Sequence, residues 1–308
     1  MLVTLKEILL DAQKKKYAVP AFNVDNLEMV QAVAEAAHEA RARVIIATSE
    51  SSLAYAGFQN LRALVYLAAE RDGILALHLD HGKTMRTIKE CIEGGWTSVM
   101  FDGSTLPYKE NVAKTKQVVA WARKRNVSVE AEIGALRTDE DLTKEGTREA
   151  LFTDPDQAVR FVKETGIDAL AISIGTEHGP FKSVGKTKLD FKRLAEIRKR
   201  VSIPLVLHGA SGVPKKILTI VHNQCDVLHD CVRLQGARGV SDAAIRKAIS
   251  LGIRKINIGT DMRLAFTAGL RRALLEHITV SDERELLKEA RELVKEVAMQ
   301  KIRLFHNP

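Results

Sequence analysis

A regular alternation of two kinds of segment is the feature that most constrains what this chain can fold into. Eight short apolar runs rich in β-forming residues recur along the sequence, and longer stretches of helical periodicity separate them. Such alternation is typical of parallel strands joined by crossover helices, and eight units predict a closed α/β barrel, the (β/α)₈ or TIM barrel. The predicted strands cover residues 18–24, 43–48, 74–80, 97–102, 127–132, 168–174, 204–208 and 255–258.

The segments between these runs are amphipathic and long enough to serve as crossover helices. An open doubly wound sheet is the competing architecture, and it usually places a glycine-rich turn directly after its first strand. This chain has Phe22-Asn-Val-Asp-Asn26 at that point, which favours the barrel. The predicted helices cover residues 27–39, 61–71, 84–93, 108–124, 155–164, 191–200 and 242–250.

The length of 308 residues suits either two domains of roughly 150 residues or one barrel of about 250 residues with additions. No Pro/Ser-rich linker, internal repeat or block of like charge divides the chain, so we predict one domain over residues 1–308. We expect a mobile loop over 134–154 after strand five, an insertion over 222–240 before strand eight, and a C-terminal helical tail within 281–308. The apolar stripe of the tail would either cap the barrel or pack on another subunit.

Cysteine usage and net charge limit the compartment in which the protein can work and the ligands that it can bind. The three cysteines are an odd number without a CxxC spacing, which suits a reducing compartment. Charge interrupts the N-terminal segment before a signal-peptide core accumulates, and no apolar run is long enough to cross a bilayer, so we expect a cytoplasmic protein without membrane association. The net charge of +8 attracts anions, but 5% aromatic residues and the absence of a Lys/Arg block argue against nucleic acid.

Three of the nine histidines share one position, because His81, His178 and His208 each lie at or just past a predicted strand end and precede a glycine. In a parallel barrel these ends converge on one face, where imidazoles from separate strands bind Zn²⁺ and leave a position open for substrate. The glycines would let backbone approach the metal or its ligand. Three unrelated histidines are the alternative. His78 is predicted to be a hydrogen-bonded core residue.

Carboxylates end the neighbouring strands. Asp80 closes an apolar run, where a charge costs free energy unless it is paired, metal-bound or used for proton transfer. Asp102 and Glu132 end the next two strands and are candidates for holding ligand imidazoles or a second metal, with capping of the following turn as the alternative. Glu140 lies in the charged loop, where a solvated charge run is the competing interpretation.

Two loops are suited to a phosphate group. HGASGVP follows strand seven at 208–214, and NIGTD follows strand eight at 257–261 and opens a helix. Loops at these positions commonly bind phosphate in such barrels, because backbone N–H groups and a helix N-terminus converge there. Lys182, four residues after His178, would add a positive charge.

Taken together, these motifs resemble the class II (metal-dependent) ketose-bisphosphate aldolases, a family that includes fructose- and tagatose-bisphosphate aldolases. The resemblance runs in family order from about residue 5 to residue 270, and the C-terminal tail matches only loosely. The matching segments are YAVPAFN (17–23), HLDHG (78–82), SVMFD (98–102), VEAEIG (129–134), IGTEHG (174–179), PLVLHGASG (204–212) and KIN (255–257).

The resemblance implies a lyase that forms a homodimer or homotetramer. It would cleave fructose 1,6-bisphosphate reversibly, in glycolysis and gluconeogenesis, to glycerone phosphate and D-glyceraldehyde 3-phosphate. His81, His178 and His208 would hold catalytic Zn²⁺, with Asp102 and Glu132 at a second or alternate divalent-metal position. The metal would polarise the ketone oxygen and stabilise the enediolate.

The resemblance also implies roles for the remaining residues. Asp80 would take the C4 hydroxyl proton in cleavage, and Glu140 would protonate the enediolate. In this family a monovalent cation, Na⁺ or K⁺, often accompanies the C1 phosphate. Asn23, Ser49 and Arg263 are candidates around the rest of the sugar or its second phosphate. The C1 phosphate would be bound by Gly179, Lys182, Gly209, Ala210, Ser211, Asn257, Ile258, Gly259 and Thr260.

Three alternatives stay open. Many fructose-specific members of the family carry Asp where this chain has Gly259, and tagatose enzymes tend to be small there, so tagatose 1,6-bisphosphate is the alternative substrate. A metal-dependent hydrolase on a similar barrel commonly has an HxH pair on its first strand, where this chain has Phe22-Asn23-Val24. An aldolase that forms a Schiff base needs a lysine at the C-terminal end of a strand, whereas Lys255 opens its predicted strand.

Overall fold

The computed structural model describes residues 1–70, 73–134, 152–176, 188–228 and 239–306. Eight parallel strands close into a barrel in chain order, and the last strand pairs with the first. The predicted (β/α)₈ barrel is therefore confirmed. The strands are β1 (Val19–Asn23), β2 (Arg43–Thr48), β3 (Ile74–Gly82), β4 (Ser98–Phe101), β5 (Ser128–Ile133), β6 (Ala169–Ile172), β7 (Leu205–Leu207) and β8 (Ile253–Ile258).

Helices surround the barrel and extend it at both ends of the chain. Every predicted crossover helix is present, with its ends shifted by no more than one turn. In the described ranges, none of the helices is both long and apolar enough to cross a membrane. The helices are α1 (Leu5–Lys15), α2 (Leu27–Glu39), α3 (Glu50–Ala56), α4 (Phe58–Glu70), α5 (Met85–Glu93), α6 (Tyr108–Arg123), α7 (Pro155–Thr165), α8 (Phe191–Arg200), α9 (Lys215–Leu228), α10 (Asp242–Ser250), α11 (Thr260–Glu276) and α12 (Glu283–His306).

Short polar residues set the start of several of these helices. The side chain of Asn26 accepts a hydrogen bond from a backbone N–H in the first turn of α2, and Ser241 does the same for α10. Asp154 caps α7, and Pro155 follows it at a position where the missing N–H costs nothing. Local sequence therefore fixes where these crossovers begin.

Helix α1 is not among the predicted elements, and it closes the N-terminal end of the barrel. It begins with a capping box, in which Thr4 and Glu7 each accept a hydrogen bond from the backbone N–H of the other. Leu5, Ile8 and Leu9 are fully buried against the inner wall. The helix contacts β1, β3, β5 and β8, so it plugs the barrel from below.

The interior of the barrel changes from apolar to polar along its axis. Residues two positions apart in a strand face the same way. His78, Glu130 and Lys255 form a buried polar layer, and the residues two positions later in the same strands stand above it, towards the C-terminal end. Apolar residues of the strands that cluster with α1 are Val19, Ala21, Ile45, Ala76, Met100, Ala169, Ala171 and Val206.

Two of the predicted additions are refined by the structure. The chain between β7 and β8 contains two helices, and residues 222–228 of the predicted insertion belong to α9. Residues 229–238, from the same insertion, lie outside the described part of the chain. Of the predicted loop after β5, residues 135–151 also lie outside it, and its last residue is the cap of α7.

The predicted C-terminal helix is present as α12, and its apolar stripe packs on its own chain. Ala290, Leu293, Val294 and Val297 are buried, and α12 contacts α2, α11 and β1. Of the two alternatives for this tail, capping is corrected, because α12 packs on α2, α11 and β1 while α1 closes the N-terminal end. Packing of the tail on another subunit stays a prediction.

Replacing Leu9 by alanine tests the plug formed by α1. Leu9 is fully buried, whereas its neighbour Leu10 is 46% exposed on the same helix. We expect Leu9→Ala to lower the free energy of unfolding by about 2–5 kcal/mol, because it removes buried contacts and leaves a cavity. Leu10→Ala should change it by less than about 0.5 kcal/mol. Urea unfolding followed by circular dichroism measures both, and equal effects would contradict the plug.

Candidate active site

Asp80 and His81 are consecutive residues whose side chains both belong to one cluster of polar residues at the C-terminal end of the barrel. Neighbouring residues of a regular strand point to opposite faces, but the pairing of β3 with β4 shifts register between Leu79 and Gly82. His81 has a φ of +47°, a left-handed conformation that is uncommon outside glycine. This bulge brings ligand atoms of Asp80, His81 and His208 within 4.8 Å of one another.

A chain of close polar contacts runs from Asp102 through two imidazoles to Glu130. Nδ1 of His81 lies 2.8 Å from Oδ2 of Asp102, and Nε2 of His208 lies 2.8 Å from Oε1 of Glu130. Nε2 of His81 and Nδ1 of His208 face each other at 2.8 Å. Because ionised carboxylates only accept hydrogen bonds, each ring donates its outer N–H to a carboxylate and turns its inner nitrogen towards the other ring.

The two inner nitrogens, Nε2 of His81 and Nδ1 of His208, are close enough to share one proton or one metal ion. With a proton between them the pair is a cation, and without that proton both present lone pairs to the same point. An imidazole whose far N–H is held by a carboxylate is the usual form of a metal-binding histidine, because that hydrogen bond fixes the tautomer and raises the basicity of the ligand nitrogen. His81 and His208 therefore fit a divalent cation.

Glu132 places a second carboxylate beside this pair. It is buried, and among the described residues neither of its oxygens has a hydrogen-bond partner. Burial and the negative charge of Asp102 raise the pKa of Glu132 to about 8. Ligand atoms of His81, Asp102 and Glu132 lie within 4.8 Å of one another. A cation would satisfy the unpartnered oxygens, so this second group also fits a metal.

Burial and neighbouring charges act in opposite directions on the site. Burial alone would lower the pKa of His81, but the Asp80 carboxylate raises it to about 9. Burial and the positive charge of His81 lower the pKa of His208. Burial alone would raise the pKa of Glu130, yet the ammonium of Lys255 holds it at about 2. Glu130 is therefore an ionised acceptor for the N–H of His208 at neutral pH.

Glu130 and Lys255 are supporting residues that were not predicted from the sequence. Both are fully buried, and Nζ of Lys255 lies 2.8 Å from Oε2 and 3.0 Å from Oε1 of Glu130. The prediction that Lys255 opens its strand is wrong, because β8 begins at Ile253. A signal was present in the sequence, since Glu130 stands two residues before Glu132 and therefore on the same inward face.

His78 is confirmed as a hydrogen-bonded core residue. It is fully buried, and its Nδ1 lies 2.9 Å from Oγ of Ser98 while its Nε2 lies 3.4 Å from Nζ of Lys255. Burial and the positive charge of Lys255 lower the pKa of His78 to about 3. The ring is therefore neutral, and it adds no charge to the Glu130–Lys255 ion pair.

Two amide side chains orient Asp80. Nδ2 of Asn23 donates to Oδ2 of Asp80 at 2.8 Å, and Nδ2 of Asn257 donates to Oδ1 at 2.6 Å. Burial alone would raise the pKa of Asp80, but the positive charge of His81 holds it well below its usual range. Asp80 is thus an ionised carboxylate of fixed orientation beside the imidazole pair, an arrangement that suits proton transfer.

The two predicted phosphate loops continue directly from these residues. Gly209 has a φ of +63°, which turns the chain after His208, and Ala210 and Ser211 are buried. Within the part of the chain that the structure describes, no side chain caps the first N–H groups of helix α11, which begins after Gly259. Such a helix start favours an anion. The predicted phosphate residues in these two loops are Gly209, Ala210, Ser211, Asn257, Ile258, Gly259 and Thr260.

Ser49 and Arg263 lie beside the starts of two helices and are linked through Asp25. Ser49 caps α3, and its Oγ lies 2.7 Å from Oγ of Ser52. Ser52 donates to one oxygen of Asp25 at 2.5 Å, and Nε of Arg263 lies 3.5 Å from the other. The hydroxyl of Ser49 therefore serves the helix, whereas the side chain of Arg263 is 58% exposed and accessible to a ligand.

The expected role of the glycine after His81 needs correction. A Cβ on Gly82 would lie 2.6 Å from the carbonyl oxygen of Met100. Glycine is therefore required there by the close approach of β3 and β4, and not by the approach of a ligand. The remaining predicted site residues, Glu140, His178, Gly179 and Lys182, lie outside the described part of the chain and stay predictions.

Comparison with known proteins points to one family. The family model described as fructose-bisphosphate aldolase class-II matches residues 3–308. A fructose-bisphosphate aldolase from Thermus caldophilus is 43% identical over 305 residues, which cover 99% of this chain and 98% of that protein. The crystal structure of the YdjI aldolase from Escherichia coli K12 has a TM-score of 0.77 and 34% identity, covering 99% of this chain and 97% of that chain. The fructose-bisphosphate aldolase of Campylobacter jejuni, with a TM-score of 0.76, 21% identity and coverage of 99% and 95%, shares the fold.

Replacing Glu130 by glutamine tests whether it supports metal binding through His208. Glutamine keeps the shape of the side chain but loses the charge that accepts from Nε2 of His208, so we expect the affinity for Zn²⁺ to fall about 10–100-fold. Titration calorimetry on metal-free protein measures this affinity. If the unpaired Lys255 prevents folding, the variant Glu130→Gln/Lys255→Met removes both charges. Glu90→Gln, the same change at an exposed residue of α5, is the control, and equal affinities would disprove the role of Glu130.

Proposed function

Because the chain belongs to the class-II fructose-bisphosphate aldolase family and is an aldolase, a carbon–carbon lyase, we propose that it cleaves fructose 1,6-bisphosphate reversibly with the help of zinc. The products would be glycerone phosphate and D-glyceraldehyde 3-phosphate. One observation carries the proposal, namely that the carboxylate-held imidazoles of His81 and His208 stand beside the oriented carboxylate of Asp80. That group offers a place for a Lewis acid next to a base. Family membership also disfavours the hydrolase hypothesis.

The family is generally metal-dependent, and the described residues fit a divalent ion. His81 and His208 would hold the catalytic zinc together with His178. Asp102 and Glu132 would provide a second or alternate position, which is supported by the unpartnered oxygens of the buried Glu132. When bound, the ion supplies a Lewis acid that withdraws electron density from the substrate carbonyl.

Asp80 would accept the proton of the C4 hydroxyl while the C3–C4 bond breaks. Asn23 and Asn257 hold its two oxygens, so its orientation is set before substrate arrives. Its pKa lies below the usual range because of the positive charge of His81, which outweighs the effect of burial, so it is in the ionised form that a base requires. Glu140 would deliver a proton to C3 of the departing glycerone phosphate.

The loops after β7 and β8 would bind the C1 phosphate through their backbone N–H groups, a proposal supported by the uncapped start of α11. Gly179 and Lys182 would complete this site, and Na⁺ or K⁺ would offset part of the negative charge. Arg263, which is exposed near the start of α11, would meet the second phosphate. Asn23 and Ser49 would lie along the sugar.

Tagatose 1,6-bisphosphate is the alternative substrate because of Gly259. Glycine places no side chain at this point of the β8 loop, and a Cβ there would lie 3.2 Å from Oδ1 of Asn23. The side chain that orients Asp80 therefore also limits what position 259 can carry. The name of the relative at 43% identity, a fructose-bisphosphate aldolase, favours the fructose epimer.

We place the reaction in the cytoplasm, in glycolysis and gluconeogenesis, with a phosphorylated sugar as the partner and no nucleic acid or membrane. One domain over residues 1–308 is supported by a family model that matches residues 3–308. A homodimer or homotetramer is supported by apolar side chains on adjacent helices. Leu27 of α2 and Leu67 of α4 are 43% and 59% exposed and line one groove.

Metal removal tests the proposed mechanism. We expect a chelator to abolish cleavage of fructose 1,6-bisphosphate and Zn²⁺ to restore it, because the carbonyl loses its Lewis acid. A coupled assay for glycerone phosphate measures both steps, and the same assay with tagatose 1,6-bisphosphate decides the epimer. Activity that survives the chelator but is lost to borohydride in the presence of substrate would indicate a Schiff base. If the zinc-loaded protein cleaves neither bisphosphate, the substrate is wrong.

Replacing Asp80 by asparagine tests its role as the base. We expect kcat to fall by about 10²–10⁴-fold, because asparagine keeps the shape but cannot take a proton. Bound zinc, measured by metal analysis, should stay at the wild-type level. Asp11→Asn is the control, since Asp11 lies in α1 at the opposite end of the barrel, and its kcat should match the wild type. A variant Asp80→Asn with wild-type kcat would rule out this role.

A further inference from the structure

One lysine of the C-terminal helix lies between the loop after β7 and the loop after β8, the two predicted phosphate loops. Lys301, near the end of α12, is 4% exposed, although lysine is rarely buried without a partner. Its Nζ donates to the carbonyl oxygen of Gly212 at 2.6 Å and lies 2.7 Å from Oδ2 of Asp261. Gly212 belongs to the loop after β7, and Asp261 lies in the first turn of α11 after β8. One ammonium group therefore joins the two loops.

Asp261 relies on this contact for its counter-charge. Its side chain is fully buried, and among the described residues Lys301 is the cation paired with it, with no further hydrogen bond to either carboxylate oxygen. A buried charge whose partner is removed is strongly destabilising. The start of α11 is therefore tied to the position of Lys301.

The loop after β7 is also held by close backbone packing. A Cβ on Gly239 would overlap the carbonyl oxygen of Ser211, and a Cβ on Gly212 would lie 2.5 Å from the carbonyl oxygen of Val240. Backbone thus packs on backbone along this loop, and Lys301 adds a side-chain contact at Gly212. Through Asp261 the same side chain also reaches the start of α11 after β8.

We propose that Lys301 is a positioning residue for the substrate phosphate, because it holds the loop after β7 against the start of α11 and so sets the backbone N–H groups of both loops around one anion. This inference rests on the proposed function, which places a phosphate at these loops. Two of the three N–H groups of the ammonium face Gly212 and Asp261, so the role that we assign to Lys301 is to position the loops. Backbone donors bind an anion well only when their relative positions are fixed.

Removing the two charges together tests this role in a folded protein. Lys301→Met alone would leave Asp261 charged and buried, so the informative variant is Lys301→Met/Asp261→Asn. We expect its KM for fructose 1,6-bisphosphate to rise about tenfold or more, and inhibition by inorganic phosphate to weaken by a similar factor, while kcat falls less than about threefold. A role in stability alone would lower the melting temperature and the fraction of active enzyme without moving KM.

Lys295→Met is the matched control on the same helix. The ammonium of Lys295 pairs with Glu35 and Glu39 near the end of α2, so its loss should leave KM and phosphate inhibition unchanged. A folded double variant with wild-type KM and wild-type phosphate inhibition would overturn the inference and leave the proposed function intact. A zinc-loaded wild-type protein that neither cleaves the bisphosphates nor binds inorganic phosphate would overturn both.

Discussion

The ion pair between Glu130 and Lys255 in the centre of the barrel holds the candidate site together. Both side chains are fully buried, with Nζ of Lys255 2.8 Å from Oε2 of Glu130, and removal of either charge would leave the other uncompensated. The paired Glu130 stays ionised and accepts the N–H of His208. That bond decides which nitrogen of His208 faces His81. A contact inside the barrel therefore determines whether the two imidazoles can hold a cation.

Because side chains alternate between the two faces of a strand, this ion pair lies in a layer directly below the candidate site. Side chains two positions apart on β3, β5 and β8 face the same way, so the buried polar layer lies directly beneath the groups that we assign to chemistry. His81 departs from this alternation through its bulge and positive φ, and as a result β3 contributes both Asp80 and His81. Helix α1 fills the opposite end with apolar side chains. Stability and chemistry thus occupy different ends of the same barrel.

Binding of phosphate by backbone N–H groups depends on where two loops stand relative to each other. Backbone N–H groups are chemically alike in every residue except proline, so the packing of the loops must set their arrangement. Helix α12 lies outside the barrel wall, where it packs on α2 and α11, and Lys301 extends from it to both loops. Under the proposed function, the tail of the chain is therefore a structural part of the phosphate site.

Local pattern was sufficient to predict the barrel and to indicate a candidate site at the C-terminal ends of its strands. The hydrophobic periodicity of a strand or a helix depends only on residues that are close in the chain. Polar residues such as Asp80 and His81 are conspicuous because they follow directly after an apolar run. Contacts between distant segments decided the rest. Glu130 and Lys255 are 125 positions apart, and a charge inside an apolar strand has no identifiable role until the strand that carries its partner is known. The same holds for the bulge at His81, the plug formed by α1 and the contacts of Lys301. Each depends on surfaces that form only when the barrel closes, because a buried charge needs a counter-charge, and a buried side chain needs packing partners, from residues that are neighbours in space.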